Sequence, residues 1–156
     1  MSQIVDVSVW NTANKYQDAA ELLNINKMKW VACVNSALAI EIYLKSTLSE
    51  AFLTEIDQID GLTINQVTSK THRGHDLTSL YKKISNSTKK MLNEAFNNVA
   101  PNIELESELT KYNDVFVNAR YMFELESKSH IDTGIIHLAR ALRQALNNLG
   151  LQHNSP

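Results

Sequence analysis

The sequence predicts an all-α fold, an up-and-down bundle of five to six helices in a single domain that spans residues 1–156. Only four glycines and two prolines occur in 156 residues, which is typical of long helices joined by short turns. Apolar residues recur three or four positions apart through most of the chain, and this spacing places them on one face of a helix. The helices are therefore expected to share one core, with a frayed tail at 151–156.

The first two helices are predicted at about Val7 to Leu23 and Lys27 to Phe52. In the second, the run from Trp30 to Leu44 is apolar on nearly every side. Because a helix that is apolar all round lies at the centre of a domain, the other helices are expected to pack around it. Cys33, the only cysteine, lies in this run and is interpreted as a small buried hydrophobe rather than a nucleophile.

The helical period is lost between Leu53 and Gly74. Within this segment, Asp60-Gly61 lies between apolar residues on both sides, and this dipeptide is a strong signal for a two-residue hairpin turn. A short β-hairpin is therefore one expectation for the loop 53–74. A mobile or disordered loop is the alternative, because long loops in small domains are often functional or mobile.

Two further helices follow this loop. Asp76 is predicted to cap a short helix, and Ser87 is predicted to begin the next one, which Pro101 ends. The core positions expected in these helices are Leu77, Leu80, Tyr81, Ile84, Met91, Leu92, Ala95, Phe96 and Val99.

The fifth helix is predicted from about Asn102 to Glu124, and the last from about Ile131 to Leu149 with Gly150 as its C-terminal cap. Both carry apolar residues in alternating steps of four and three, which is the pattern of a helix with one buried face. The predicted core positions are Leu105, Leu109, Tyr112, Phe116, Ala119 and Phe123 in the fifth helix, and Ile135, Leu138, Leu142, Ala145 and Leu149 in the last.

Composition sets limits on function. The chain starts without the charged and apolar segments of a secretory signal, and no apolar run approaches the roughly 20 residues that cross a bilayer, so a cytoplasmic protein without a membrane partner is expected. The net charge is −2, which restricts any nucleic-acid site to a local basic patch. Glycine-rich phosphate loops are missing from the sequence and Glu124 has no histidine at metal-ligand spacing, so neither a cofactor nor a metal is expected.

Glu41 and Lys45 are one helical turn apart in the order that favours an ion pair. Since a carboxylate inside an apolar segment needs a partner, Lys45 or a second cation, with Arg120 as the candidate, is expected to meet it. Arg120, Tyr121 and Glu124 form a matching polar set on the fifth helix. These residues are interpreted as a structural network between two helices, with a ligand pocket lined by the same residues as the alternative.

Two basic clusters lie elsewhere. His72, Arg73 and His75 precede the cap residue Asp76, where they could bind phosphate or metal. The alternative is that the first two are solvated loop residues and that His75 helps to satisfy the first turn of the helix. The second cluster is the polar side of the last helix, which is expected to be a solvated face and is also the best local basic patch for RNA or a nucleotide; its members are His137, Arg140, Arg143 and Gln144.

Three blocks of sequence together resemble the HEPN (higher eukaryotes and prokaryotes nucleotide-binding) family. They are Ala39-Ile-Glu-Ile-Tyr-Leu-Lys45 in the long central helix, Gly74-His-Asp-Leu77 at the start of a short helix, and Ala119-Arg-Tyr-Met-Phe-Glu124 in a later helix. The resemblance covers about Trp30 to Leu146. It implies a helical bundle, often dimeric, that works as an RNase toxin, as the partner of a small nucleotidyltransferase, or as a nucleotide-binding accessory domain.

The ribonucleases of that family carry an arginine followed after four to six residues by a histidine on the same helix, and this sequence departs from that pattern. Nine residues separate Arg120 from His130, and nine separate Arg143 from His153. The leading hypothesis is therefore a non-catalytic HEPN-like homodimer that binds a nucleotide, RNA or a protein partner, accessory to a nucleotidyltransferase or a toxin–antitoxin system.

Two other functions remain open at the level of sequence. One is a metal-independent endoribonuclease in which a displaced histidine, His75 or His130, meets Arg120 in space. The other is a structural helical adaptor whose polar residues only hold the helices in register. The residues expected at a ligand site are Glu41, Lys45, His75, Asp76, Arg120, Tyr121 and Glu124.

Overall fold

The computed structural model describes residues 5–70, 72–120 and 132–153, apart from the side chains of residues 50–54, 59, 67–69, 119–120 and 151–153. The described part is mostly helical and includes one small antiparallel sheet. None of its helices combines the length and apolarity needed to cross a membrane. The elements are α1 (Val7–Ile25), α2 (Lys29–Ser46), β1 (Glu50–Ile59), β2 (Leu62–Lys70), α3 (Leu77–Lys83), α4 (Asn86–Val99), α5 (Leu105–Lys111), α6 (Val115–Arg120) and α7 (Gly134–His153).

Helices α1 and α2 form an antiparallel pair that is closed at both ends. Asp6 caps α1 by accepting hydrogen bonds from the amides of Ser8 and Val9, and its own amide donates to the carbonyl of Ser46 at the far end of α2, at 2.8 Å. At the other end, Lys27 turns the chain with a φ of 62°, a left-handed conformation that is uncommon for a residue with a side chain. The two helices are thereby held together at both ends.

Helix α2 is the central helix, as its sequence predicts. It contacts α1, α3, α6 and α7, and its side chains Ala39, Ile40 and Leu44 are fully buried. Because the run around them is apolar on several faces, α2 can bury surface against several neighbours at once. Cys33 is buried as predicted, and burial raises the pKa of its thiol.

Buried polar side chains join α1, α2 and α7 inside this core. The Tyr43 hydroxyl donates to the side chain of Asn14 at 2.8 Å. The Ser36 hydroxyl donates to Gln17, whose amide in turn donates to the backbone carbonyl of Ile136 in α7, at 3.4 Å. Since buried polar groups without partners are costly, this network fixes the register of α1 and α2 and the position of α7 against them.

The predicted hairpin is confirmed. Strands β1 and β2 pair antiparallel through the turn at Asp60 and Gly61, where φ is 51° and 81°, as a turn with two left-handed residues requires. The register shifts at Ile56, between Glu55 and Asp57, which indicates a β-bulge. The described hairpin side chains, at 55–58, 60, 62–66 and 70, are all exposed.

The predicted end of the second helix at Phe52 is wrong. Helix α2 ends at Ser46 and β1 begins at Glu50. The hydroxyls of Ser46 and Thr47 donate to the carbonyls of Tyr43 and Leu44 at 2.6 and 2.7 Å. These side-chain bonds compete with the helical backbone bonds for the same carbonyls, so the helix stops although the sequence stays apolar beyond it.

Asp76 caps α3 as predicted, but α4 is capped by Ser85 rather than started at Ser87. The Asp76 carboxylate accepts a hydrogen bond from the amide of Ser79, at 2.5 Å, and the Ser85 hydroxyl accepts from the amide of Thr88, at 3.2 Å. Helix α4 ends before Pro101, as expected from the missing amide hydrogen of proline.

The fifth predicted helix is divided in two. Glu104 caps α5, which ends at Lys111, and α6 begins at Val115 after a turn that includes Asn113 and Asp114. Both turn residues favour local hydrogen bonds over helix. Helix α7 begins at Gly134 and continues through Gly150 to His153, so the predicted C-terminal cap at Gly150 is wrong. The predicted positions Phe123 and Ile131 lie outside the described residues.

Candidate functional site

The predicted ion pair between Glu41 and Lys45 is confirmed. One carboxylate oxygen of Glu41 bonds to the Lys45 ammonium at 2.7 Å, and the two side chains are 4% and 15% exposed. The other oxygen bonds to Nδ1 of His75 at 2.9 Å. A buried carboxylate needs partners for both oxygens, and α2 together with the segment before α3 supplies them.

His75 is held on two sides while its ring stays half exposed. Its ring centroid lies 5.3 Å from that of Phe116 in α6, with the planes inclined by 35°, and its side chain is 53% exposed. Gly74 brings the chain to this position with a φ of 120°, which favours glycine. Since Nδ1 faces a carboxylate, it carries a proton, and Nε2 is left to accept a proton or, when protonated, to donate one.

Asp76 is occupied by structural bonds. Besides capping α3, its carboxylate accepts a hydrogen bond from the side-chain amide of Asn113, at 2.8 Å, and the Asn113 carbonyl oxygen accepts from the amide of Thr78, at 3.1 Å. The bonds from Asn113 and Ser79 hold the pKa of Asp76 below its usual range. Asn113 therefore clamps the start of α3 to the turn between α5 and α6.

Arg120 is the last residue of α6, the helix that packs on α2 and carries Phe116. It follows Phe116 by one helical turn, and residues so spaced lie on one helix face. The expected contact between Arg120 and Glu41 stays a prediction, because it depends on an undescribed side chain. Tyr121, Glu124 and His130 lie outside the described residues.

The basic patch predicted on α7 is largely neutralised by α1. Arg140 makes a bidentate pair with Glu21 at 2.9 and 2.7 Å, and Arg143 bonds to Asp18 at 2.6 Å. The Arg140 guanidinium holds the pKa of Glu21 below its usual range. These contacts favour a structural role for the α7 arginines over a phosphate site.

Sequence reasoning missed two contributors to the site, Phe116 as the platform for His75 and Asn113 as the clamp on Asp76. Phe116 was predicted as a core residue, and it is only partly buried. The low helix propensity of Asn113-Asp114 is the one signal in the sequence that could have revealed the turn. No group of three or more metal-binding side chains occurs within the described ranges.

Comparisons of the chain with protein-family models, with curated proteins and with solved structures return no match.

Proposed function

We propose that the cluster of Glu41, Lys45 and His75, with Arg120 at the end of α6, binds the phosphate of a nucleotide or of RNA, in a non-catalytic HEPN-like domain. The observation that carries the proposal is the half-exposed His75 imidazole, anchored through Nδ1 on a buried carboxylate. A side chain fixed by packing and by a hydrogen bond keeps its remaining nitrogen in one place, and such pre-organisation favours ligand binding.

The charges around His75 support an anionic ligand. The negative charge of Glu41 is compensated by the Lys45 ammonium. The Asp76 carboxylate accepts hydrogen bonds from the amide of Ser79 and from the side chain of Asn113. Exposed Arg73 lies two residues before His75, and Arg120 is the second cation that we propose for this site. Arginine and protonated histidine both donate charge-assisted hydrogen bonds to phosphate oxygens, so the local balance favours phosphate although the whole chain is slightly acidic.

The experiment is isothermal titration calorimetry with ATP, GTP and a short single-stranded RNA, on the wild type and on the variants His75→Ala and Arg120→Ala. We expect at least one ligand to bind and each variant to weaken it by about tenfold, the loss of one charge-assisted hydrogen bond. His137→Ala is the matched control, because His137 is an exposed histidine on α7. No heat with any of these ligands, or an equal loss in His137→Ala, contradicts the proposal.

The same variants separate binding from a structural adaptor. If Arg120 only holds helices in register, Arg120→Ala lowers the melting temperature and leaves every titration unchanged. If Arg120 contacts the ligand, the affinity measured by calorimetry falls in Arg120→Ala at temperatures where the variant is still folded. The protein partner implied by the resemblance, a small nucleotidyltransferase or a toxin–antitoxin counterpart, belongs to this proposal and is tested by co-expression with the product of an adjacent gene.

A metal-independent endoribonuclease is the second candidate, and the contact of His75 with both Glu41 and Phe116 favours it. An imidazole fixed in one tautomer can take a proton from a ribose 2′-hydroxyl, and a nearby arginine can neutralise the phosphate under attack. Single-stranded RNA incubated with the protein in EDTA would then be cleaved by the wild type and not by His75→Ala. Intact RNA in both samples rejects this candidate and leaves the binding proposal standing.

A further inference from the structure

Within the described ranges, the β-hairpin has no strand paired to either of its two outer edges. In the part of the chain that the structure describes, β1 and β2 pair with each other and with no third strand. Every described hairpin side chain is exposed, including Ile56 at 58%, Leu62 at 74% and Ile64 at 39%. A two-stranded ribbon is marginally stable alone in water, and a third strand or a packed face is needed to stabilise it. The described part of the chain therefore supplies no third strand to stabilise the hairpin.

The two edges differ in charge. Strand β1 carries Glu50, Glu55 and Asp57, and the turn adds Asp60, whereas the only charged residue of β2 is Lys70. Charged side chains protect an exposed edge from pairing, and like charges placed opposite each other weaken it. The acidic edge of β1 therefore disfavours pairing with a copy of itself, and the β2 edge carries no such protection.

The charges near the two ends of strand β2 are opposite in sign, so the β2 edge is complementary in charge to an antiparallel copy of itself. The tip of the hairpin is acidic, through Asp57 and Asp60. At its base, Glu50 is paired with Lys70, and Arg73 leaves the base with a net positive charge. An antiparallel partner runs in the opposite direction, so the base of each hairpin meets the tip of the other. Two identical strands in this arrangement place opposite charges together at both ends.

We propose that a second copy of this chain pairs with the hairpin, β2 against β2 in antiparallel register, to form a four-stranded sheet across a two-fold axis. Full overlap of the strands puts Gln66 opposite Gln66, and Leu62 opposite Lys70 of the second copy. The aliphatic stem of that lysine covers the exposed Leu62 side chain, and its ammonium reaches the turn that holds Asp60. The small contact area predicts a weak, concentration-dependent dimer.

The decisive experiment places charge on the two-fold axis. Gln66→Glu and Gln66→Lys each put like charges opposite each other, and we expect each variant alone to dimerise several-fold more weakly than wild type in sedimentation equilibrium. An equimolar mixture of the two is expected to form a heterodimer about tenfold tighter than either variant alone. A variant that merely misfolds cannot be rescued in this way.

Gln58→Glu and Gln58→Lys are the matched controls, because Gln58 is an exposed glutamine on β1. We expect both to dimerise as the wild type does. A second arm tests the ends of the interface: Lys70→Glu weakens the dimer by repelling Asp60, and adding Asp60→Asn, which suits the left-handed turn, restores part of the affinity.

Two outcomes overturn the proposal. One is a wild-type chain that stays monomeric up to several hundred micromolar. The other is a dimer whose dissociation constant is the same in the Gln66 variants as in the wild type, since association then uses another face. Both outcomes are independent of ligand titrations, so this interface and the phosphate site can fail separately.

Discussion

The substitution Lys45→Met removes the Lys45 ammonium and leaves Glu41 in place. It tests whether the stability of the fold depends on the partners of the buried Glu41 carboxylate. In Lys45→Met the aliphatic stem is retained, and one oxygen of a carboxylate that is 4% exposed loses its 2.7 Å bond. Breaking a fully buried ion pair from one side costs about 3 to 5 kcal/mol. Because Lys45 is 15% exposed and His75 still bonds to the other oxygen, we expect about 2 kcal/mol.

This free energy translates into a measurable thermal shift. For 156 residues the entropy of unfolding is about 0.33 kcal/mol/K, so a loss of about 2 kcal/mol lowers the melting temperature by about 6 °C. Differential scanning calorimetry measures the shift, and urea unfolding checks the free energy. Adding Glu41→Gln to Lys45→Met removes the unpaired charge and should recover more than half of the loss.

Lys90→Met is the matched control. Lys90 also faces a glutamate one turn away, Glu94, but at 4.0 Å and with both side chains more than half exposed. An exposed pair of this kind contributes little, so we expect a shift below about 2 °C. If Lys45→Met and Lys90→Met melt at the same temperature, the reasoning about a buried carboxylate is refuted.

Three further predictions concern packing and capping. Phe116→Ala should cost about 2 to 3 kcal/mol in urea unfolding, below the 3 to 5 of a fully buried phenylalanine, because Phe116 is partly buried. Asp76→Ala should cost about 1 kcal/mol at neutral pH. Since the pKa of Asp76 is lowered by folding, the carboxylate stabilises fully above its unfolded pKa of about 3.9. The difference from wild type should shrink as the pH falls from that value through the lower pKa of the folded state. Gly134→Ala should destabilise because its Cβ would meet the Tyr112 hydroxyl, whereas Gly150→Ala, with open space around its Cβ, should stabilise by about 0.5 to 1 kcal/mol.

Local signals in the sequence predicted what local forces determine. Asp76 caps a helix because its carboxylate reaches the amide of Ser79, three residues on, and Asp60-Gly61 forms a hairpin turn because those two residues tolerate positive φ. The pair of Glu41 and Lys45 follows from helical spacing alone. Each of these features depends on neighbours within four residues, so the sequence contains the whole cause.

Features that depend on distant partners were predicted less well. His75 and Glu41 were both candidates, yet their bond spans 34 residues, and only the folded backbone brings them together. The division of the fifth helix at Asn113 is a related case, since Asn113 gains a bond to Asp76 that a continuous helix would forgo. The end of α2 at Ser46 was missed for another reason. The apolar periodicity continues beyond Ser46, and the pattern of apolar residues does not reveal that the Ser46 hydroxyl bonds to a carbonyl of the preceding turn.

The closure of α1 and α2 at both ends has a consequence for the order in which the protein assembles. The two helices are adjacent in sequence, so bringing them together costs the entropy of one short turn, and the bond from Asp6 to Ser46 completes a unit whose contacts are nearly all local. Helix α7 has to return over more than a hundred residues before Ile136 can meet Gln17. Contacts between residues close in the chain form sooner than contacts between distant ones. We therefore expect α1 and α2 to pair early in folding and α7 to pack against them afterwards.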